Sequence, residues 1–166
     1  LKILEAGHPL NTTYHAESDE GAISRFLTAY LATSVGEPAS LALRTLTSLV
    51  NVIIVQKILR DGSRRIIQIS EVLGVDPNDE NHPLLNELYR YEITGDPEYD
   101  AQGNVKKIHG IHRRVGKLSP KAIHKFQLEG VAASRYDFLT RDVDKAEVES
   151  YTGENINHYG MKGFSE

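Results

Sequence analysis

Two histidines seven residues apart, His8 and His15, stand in one polar stretch, Gly7-His8-Pro9-Leu10-Asn11-Thr12-Thr13-Tyr14-His15-Ala16-Glu17-Ser18. A neutral imidazole can donate one hydrogen bond to a phosphate oxygen and accept another from water, and so register whether the phosphate is there. Asn11 to Tyr14 include the β-formers Thr12, Thr13 and Tyr14, so the pattern predicts a short buried strand. His15 then stands at its C-terminal end, the edge at which open α/β sheets bind ligands. Thr12 and Thr13 point to opposite faces of that strand, one toward the ligand pocket and one into packing. The plain alternative is a strand-end His15 satisfied by backbone, with His8 a loop side chain before Pro9. Composition alone leaves both readings open.

Other chemistries find less support. Ser18 and Asp19 lie beside His15, but no Gly-x-Ser-x-Gly nucleophile elbow occurs. His109 and His112 are three apart in a strand-like run and so face opposite ways; no metal site is expected. The absence of cysteine excludes disulfides and thiolate metal sites. Seven cations, Lys106, Lys107, Arg113, Arg114, Lys117, Lys121 and Lys125, follow one another without a carboxylate between them. Such a run can contact several phosphates, and Arg113 and Arg114 at its centre are the candidates for a subunit or nucleic-acid contact. No aromatic interleaves the run before Phe126, so base stacking is not indicated. A solvated face is one other reading. A basic face meeting the acidic loops Asp76 to Glu80 or Asp96 to Asp100 of a neighbouring subunit is another.

The elements that position these residues read as α/β. Apolar residues at Ala22, Ile23, Phe26, Leu27, Tyr30 and Leu31 predict a helix over 18–33, with Glu17, Ser18 and Asp19 offering caps. Gly36-Glu37-Pro38 ends it, and a second helix over 39–50 turns Leu43, Leu46, Leu49 and Val50 inward with Arg44 beside that face. Val52 to Val55 is a β-branched run, the mark of a strand buried on both faces. Asp61-Gly62-Ser63 predicts a hairpin turn into a strand over 64–73. A loop over 76–81, a strand over 84–93, a second loop over 95–104 and a short strand over 105–111 follow. Ser119-Pro120 starts a helix that Gly130 ends. A further helical turn is expected over 134–139 and a charged helix-like segment over 142–150. The tail over 152–166 is expected to be mobile or to dock on a partner.

The chain has 166 residues, 40 % of them apolar and 25 % charged, with net charge −4. That is the composition of a soluble globular domain, and nothing global calls for nucleic acid or an acidic membrane. No apolar run approaches the roughly 20 residues that span a bilayer.

Gly-His-Pro-x-x-x-Thr-x-His-Ala at 7–16 resembles the histidine box of the secretion and pilus ATPases. These are the hexameric motors of type II and type IV secretion, type IV pili and Flp-type pili. The resemblance continues through Ala22-Ile23-Ser24-Arg25-Phe26, Asp61-Gly62-Ser63-Arg64-Arg65-Ile66 and Ile69-Ser70-Glu71-Val72-Leu73-Gly74, and is closest to the Flp pilus and conjugation branch. It covers 1–130 and leaves 131–166 as a C-terminal helical segment and tail. It implies the C-terminal portion of a RecA-like P-loop ATPase domain with a β-hairpin extension and C-terminal helices. His15 matches the phosphate-sensing histidine, with His8 supporting and Thr12 and Thr13 near the nucleotide. The implied cofactors are ATP and magnesium, held by the whole protein. The implied partners are five further copies in a hexamer and inner-membrane platform proteins, at the cytoplasmic face of the membrane. No Gly-x-x-x-x-Gly-Lys-Ser/Thr occurs, and the chain begins at Leu1 in a helix-like run, so a fragment without the phosphate loop, inactive alone, is expected. The competing expectation is a non-enzymatic assembly or nucleic-acid-binding module that uses the basic run 106–125.

Overall fold

The computed structural model describes residues 11–34 and 36–143. His8, the helix-like start at Leu1, and the segments expected beyond 143 lie outside the described residues. The described part is mixed α/β, with three α-helices and an antiparallel four-stranded sheet. Helix α1 spans Asp19–Leu31 and α2 spans Ala39–Leu49. Strands β1 (Val52–Ile58), β2 (Arg64–Asp76) and β3 (Asp79–Ile93) follow, joined by tight turns. A small ladder of β4 (Glu98–Tyr99) and β5 (Val105–Lys107) precedes β6 (Gly110–Arg114) and helix α3 (Pro120–Leu128). Two 3₁₀ turns, Ala133–Arg135 and Asp137–Leu139, close the described chain. The sheet order is β1-β2-β3-β6.

The chain folds as two compact units, Leu1–Val55 with Ile69–Asn86 and Gln56–Gln68 with Glu87–Glu166. In the first, Ile23 of α1 meets Leu43 and Leu46 of α2, and Phe26, Leu27, Val50, Ile53 and Val75 pack around them. The i, i+3, i+4 spacing of Ile23, Phe26 and Leu27 puts all three on one helix face. Thr47 is buried in α2 and donates its hydroxyl to the Leu43 carbonyl at 2.9 Å. In the second unit, Leu88, Leu118 and Tyr136 form the core, with Ala122, Ile123 and Phe126 of α3 against them. Ser119 caps α3 by accepting from the Ala122 amide at 3.1 Å, and Pro120 opens it.

Four expectations need correction. Asn11 to Tyr14 form no strand and are exposed: among the described residues no segment pairs with them, and β-formers without a partner gain little from extension. Strand β1 is buried on one face only, with Val55 inward and Val52, Ile54 and Ile58 exposed on the other face. The loop expected over 76–81 is a two-residue turn at Pro77 and Asn78, and β3 already begins at Asp79. The run expected as one strand over 105–111 is split into β5 and β6.

The Asp61-Gly62-Ser63 turn is as expected, and its chemistry is specific. Gly62 takes φ +79°, a conformation that favours glycine. One Asp61 oxygen accepts from the Ser63 amide at 2.9 Å and its hydroxyl at 2.6 Å, and the other accepts from the Ile108 amide at 2.9 Å. The Ser63 bonds, then the Ile108 amide, then the Arg65 charge, pull the Asp61 carboxyl down to about 2. Its folded-state value lies below the unfolded one, so its contribution to stability is present above about pH 4 and is lost as pH falls toward 2. Acid unfolding followed by circular dichroism is expected to be less pH-dependent across that window in Asp61→Asn than in the wild type. Leu46, 1 % exposed, tests the first core: Leu46→Ala is expected to cost about 2–5 kcal/mol in urea denaturation.

Candidate functional site

The residues before α1 lie along that helix. The Tyr14 ring is tilted against Phe26 with centroids 6.0 Å apart, and its hydroxyl donates to the Arg25 carbonyl at 3.5 Å. Arg25 Nη1 in turn donates to the His15 carbonyl at 2.6 Å. The backbone at His15 is therefore tied to α1, while the residue itself is exposed. Thr12 and Thr13 are exposed too, so they are not divided between a pocket and a core. His8 lies outside the described residues.

Ser18 is extended (φ −149°) and caps α1 by accepting from the Gly21 amide at 3.0 Å. The next residue, Asp19, is only 5 % exposed. Its Oδ1 accepts from the Glu20 amide at 2.8 Å, which the positive end of the helix dipole also favours. Its Oδ2 accepts from the fully buried Ser70 hydroxyl of β2 at 2.6 Å, across 51 residues of sequence. The neighbouring Glu71 is also buried and accepts from Asn86 Nδ2 of β3 at 3.2 Å. Successive strand residues face opposite ways, so burial of both Ser70 and Glu71 means β2 is covered on both faces there.

Sequence reading missed Asp19, Ser70 and Glu71 as partners. The available signal was two adjacent polar residues, Ser70 and Glu71, set between the apolar Ile69 and Val72-Leu73. Such a pair requires hydrogen-bond partners if it is buried.

The basic run divides in space. Arg114 is 3 % exposed and donates to the backbone carbonyls of Arg141 at 2.8 Å and Asp142 at 3.2 Å. Arg113 is ion-paired with Glu92, and Lys117 with Asp142. At Arg113 and Arg114, where the sequence suggested a subunit or nucleic-acid contact, the guanidinium groups make contacts within the chain. Carboxylates absent from the run in sequence reach it from β3 and from the segment after the 3₁₀ turns. Lys106, Lys107, Lys121 and Lys125 are exposed.

His109, in the link between β5 and β6, and His112, on β6, do not converge. His109 Nε2 lies 2.7 Å from Glu98 Oε1, and His112 Nε2 lies 2.9 Å from the Ile66 carbonyl. Burial lowers the His112 pKa, the Ile66 carbonyl opposes that, and the Arg65 charge adds to it. A neutral ring donating from Nε2 satisfies all three. Among the described residues no group of three or more histidines, aspartates or glutamates could hold a metal ion. Arg44 is exposed and lies 3.6 Å from Glu80.

No protein-family model matches the chain, and no curated protein matches it. No helix among the described residues is long and apolar enough to cross a membrane.

Removing the Ser70 hydroxyl takes one donor from a buried carboxylate. A hydrogen bond to a charged group is worth about 1.5–3 kcal/mol, and Ser70→Ala is expected to lose about that much stability in urea denaturation. An unchanged midpoint would mean that the Asp19 contact adds nothing.

Proposed function

We propose that the chain is the C-terminal portion of the RecA-like domain of a secretion or pilus-assembly motor ATPase, which couples ATP hydrolysis to protein or DNA transport across the cell envelope. The observation that carries this reading is the Asp19–Ser70 hydrogen bond. It joins the helix that follows the histidine box to the Ile69–Gly74 run, two stretches that separately resemble the same family. The exposed His15, on backbone tied to α1, supports the role of a side chain that meets a ligand brought from elsewhere. Exposed Val52 and Ile54 on the edge strand β1 support a further layer or strand packing there. In this reading the β1–β3 meander is the family's hairpin extension.

The residues present supply one contact to the nucleotide, the His15 imidazole, and not a binding site. The phosphate-binding loop and the magnesium ligands belong to the rest of the ATPase domain, so ATP and magnesium are cofactors of the whole protein. Bound ATP supplies the free energy that moves subunits. His15 donates a hydrogen bond to the terminal phosphate and passes its presence to α1 through the Arg25 contact. The working form is a hexamer on the cytoplasmic face of the inner membrane, against platform proteins of the secretion or pilus machine. Subunits close on ATP and open after hydrolysis.

The test is ATP binding and turnover by the full-length protein, wild type beside His15→Ala. Binding is expected to persist while turnover falls about 10²-fold, the scale of losing one preorganised donor to developing charge. A wild type that neither binds nor hydrolyses ATP would overturn the reading.

A further inference from the structure

The net charge of −4 hides two unlike parts. Among the described residues, the first unit carries two arginines against eight carboxylates. The second carries fourteen lysines and arginines against nine carboxylates. Such an asymmetry points to a polyanionic partner for the basic part. Part of that basic charge is used inside the fold. Arg90, Arg113, Lys117 and Arg141 are ion-paired, and Arg114 is buried on two backbone carbonyls.

Five other cations are exposed and form no ion pair among the described residues: Arg60, Arg64, Arg65, Lys106 and Lys107. The three arginines flank the Asp61-Gly62-Ser63 turn, and the two lysines run up to Ile108. The fold joins these segments. Asp61 Oδ2 accepts from the Ile108 amide at 2.9 Å, across 47 residues of sequence, while Oδ1 holds Ser63. Both oxygens of the turn's one carboxylate are thus taken up by the clamp. A charge run that only faces water needs no such clamp. The other acids nearby are committed too, with one exception. Glu98, opposite Lys107, is bonded to His109, and Asp100 accepts from the Gln102 and Asn104 amides and from Asn104 Nδ2. The exception is exposed Asp96, whose neighbours Gly95 and Pro97 line one groove with Arg60.

The arrangement also selects among polyanions. Arg64 and Arg65 are successive residues of β2 and point to opposite faces. A flat lipid surface meets one face at a time. A flexible phosphodiester chain bends round the turn and reaches both.

We propose that the second unit binds single-stranded nucleic acid through its backbone, with Arg60, Arg64, Arg65, Lys106 and Lys107 contacting phosphates. The contact is independent of base sequence, because these groups meet phosphate oxygens and not base edges. Only Lys106 and Lys107 come from the basic run seen in the sequence. The inference does not rest on the motor reading: these groups stand in the second unit and His15 in the first.

The test titrates a fluorescein-labelled oligothymidylate with the full-length protein and follows anisotropy as salt is varied. Five contacts to a single strand predict a slope of log K against log salt of about −3.5. Arg60→Gln with Arg64→Gln and Arg65→Gln is expected to flatten that slope by about 2, and Lys106→Gln with Lys107→Gln by about 1.4. Lys121→Gln with Arg135→Gln removes two exposed cations outside the clamped cluster and is expected to leave the slope unchanged. Asp96→Asn is expected to tighten binding. Circular dichroism shows whether each variant is folded, and the lysine pair carries the test if the arginine triple is not. A wild type that does not bind the strand at low salt overturns the proposal. So does a Lys121→Gln, Arg135→Gln protein that loses as much slope as the lysine pair, since a diffuse field then accounts for binding. Binding to phosphatidylglycerol vesicles but not to the strand overturns it as well and gives the cluster to a membrane surface.

Discussion

A carboxylate at 5 % exposure sets the terms for the first unit. An ionised carboxylate taken out of water is strongly unfavourable unless hydrogen bonds replace the lost hydration. Asp19 meets that requirement with the Glu20 amide on its own helix and the Ser70 hydroxyl on β2. The first bond can form only at a helix start, and the second only where β2 presents Ser70. Together they fix where α1 begins and which part of β2 it meets. The core of Ile23, Leu43 and Leu46 then closes over a helix already placed. Tyr14 and His15 follow, because they are bound to α1 through Phe26 and Arg25. The position of an exposed histidine thus depends on a serine 55 residues further along the chain.

Local signals were legible in the sequence and partnerships were not. Ser18 and Ser119 cap helices where their spacing to the apolar faces places them, and Asp61-Gly62-Ser63 turns where its types demand. Each of these depends on bonds within a few residues. Asn11 to Tyr14 has strand-forming residue types, yet a strand is a relation between two segments, and residue types alone do not name the second one. Strand β1 fails for the same reason: Val52 to Val55 reads as doubly buried until it is known which of its faces another element covers.

Charge shows the same limit. The run from Lys106 to Lys125 contains no acid, which suggests a bare cationic face. On the sheet, Arg113 finds Glu92 on the neighbouring strand, and Arg114 turns inward to two backbone carbonyls. The face of β6 that carries Arg114 imposes a packing constraint as well. A Cβ on Gly110 would come within 2.5 Å of the Tyr91 ring, which also lies 5.0 Å from the His112 ring. Glycine there lets the tyrosine lie over the strand, and the tyrosine covers the ring that burial keeps neutral. Both are cross-strand relations, set by the register of Tyr91 against His112 and Ile93 against Gly110.

The residues that carry the family resemblance fall into two kinds. Asp61, Ser63, Ser70 and Glu71 each have a structural reason to be polar: they satisfy an amide, a hydroxyl or a buried carboxylate inside the fold. Their presence can be explained by stability alone and says little about chemistry. His15 is of the other kind. Its carbonyl is used by Arg25, which any residue's carbonyl would serve, and the residue is exposed. No core position, cap or turn among the described residues requires an imidazole there. A side chain whose type is not required by the fold, on backbone that the fold holds in place, is the arrangement expected of a group that acts on something outside the fold.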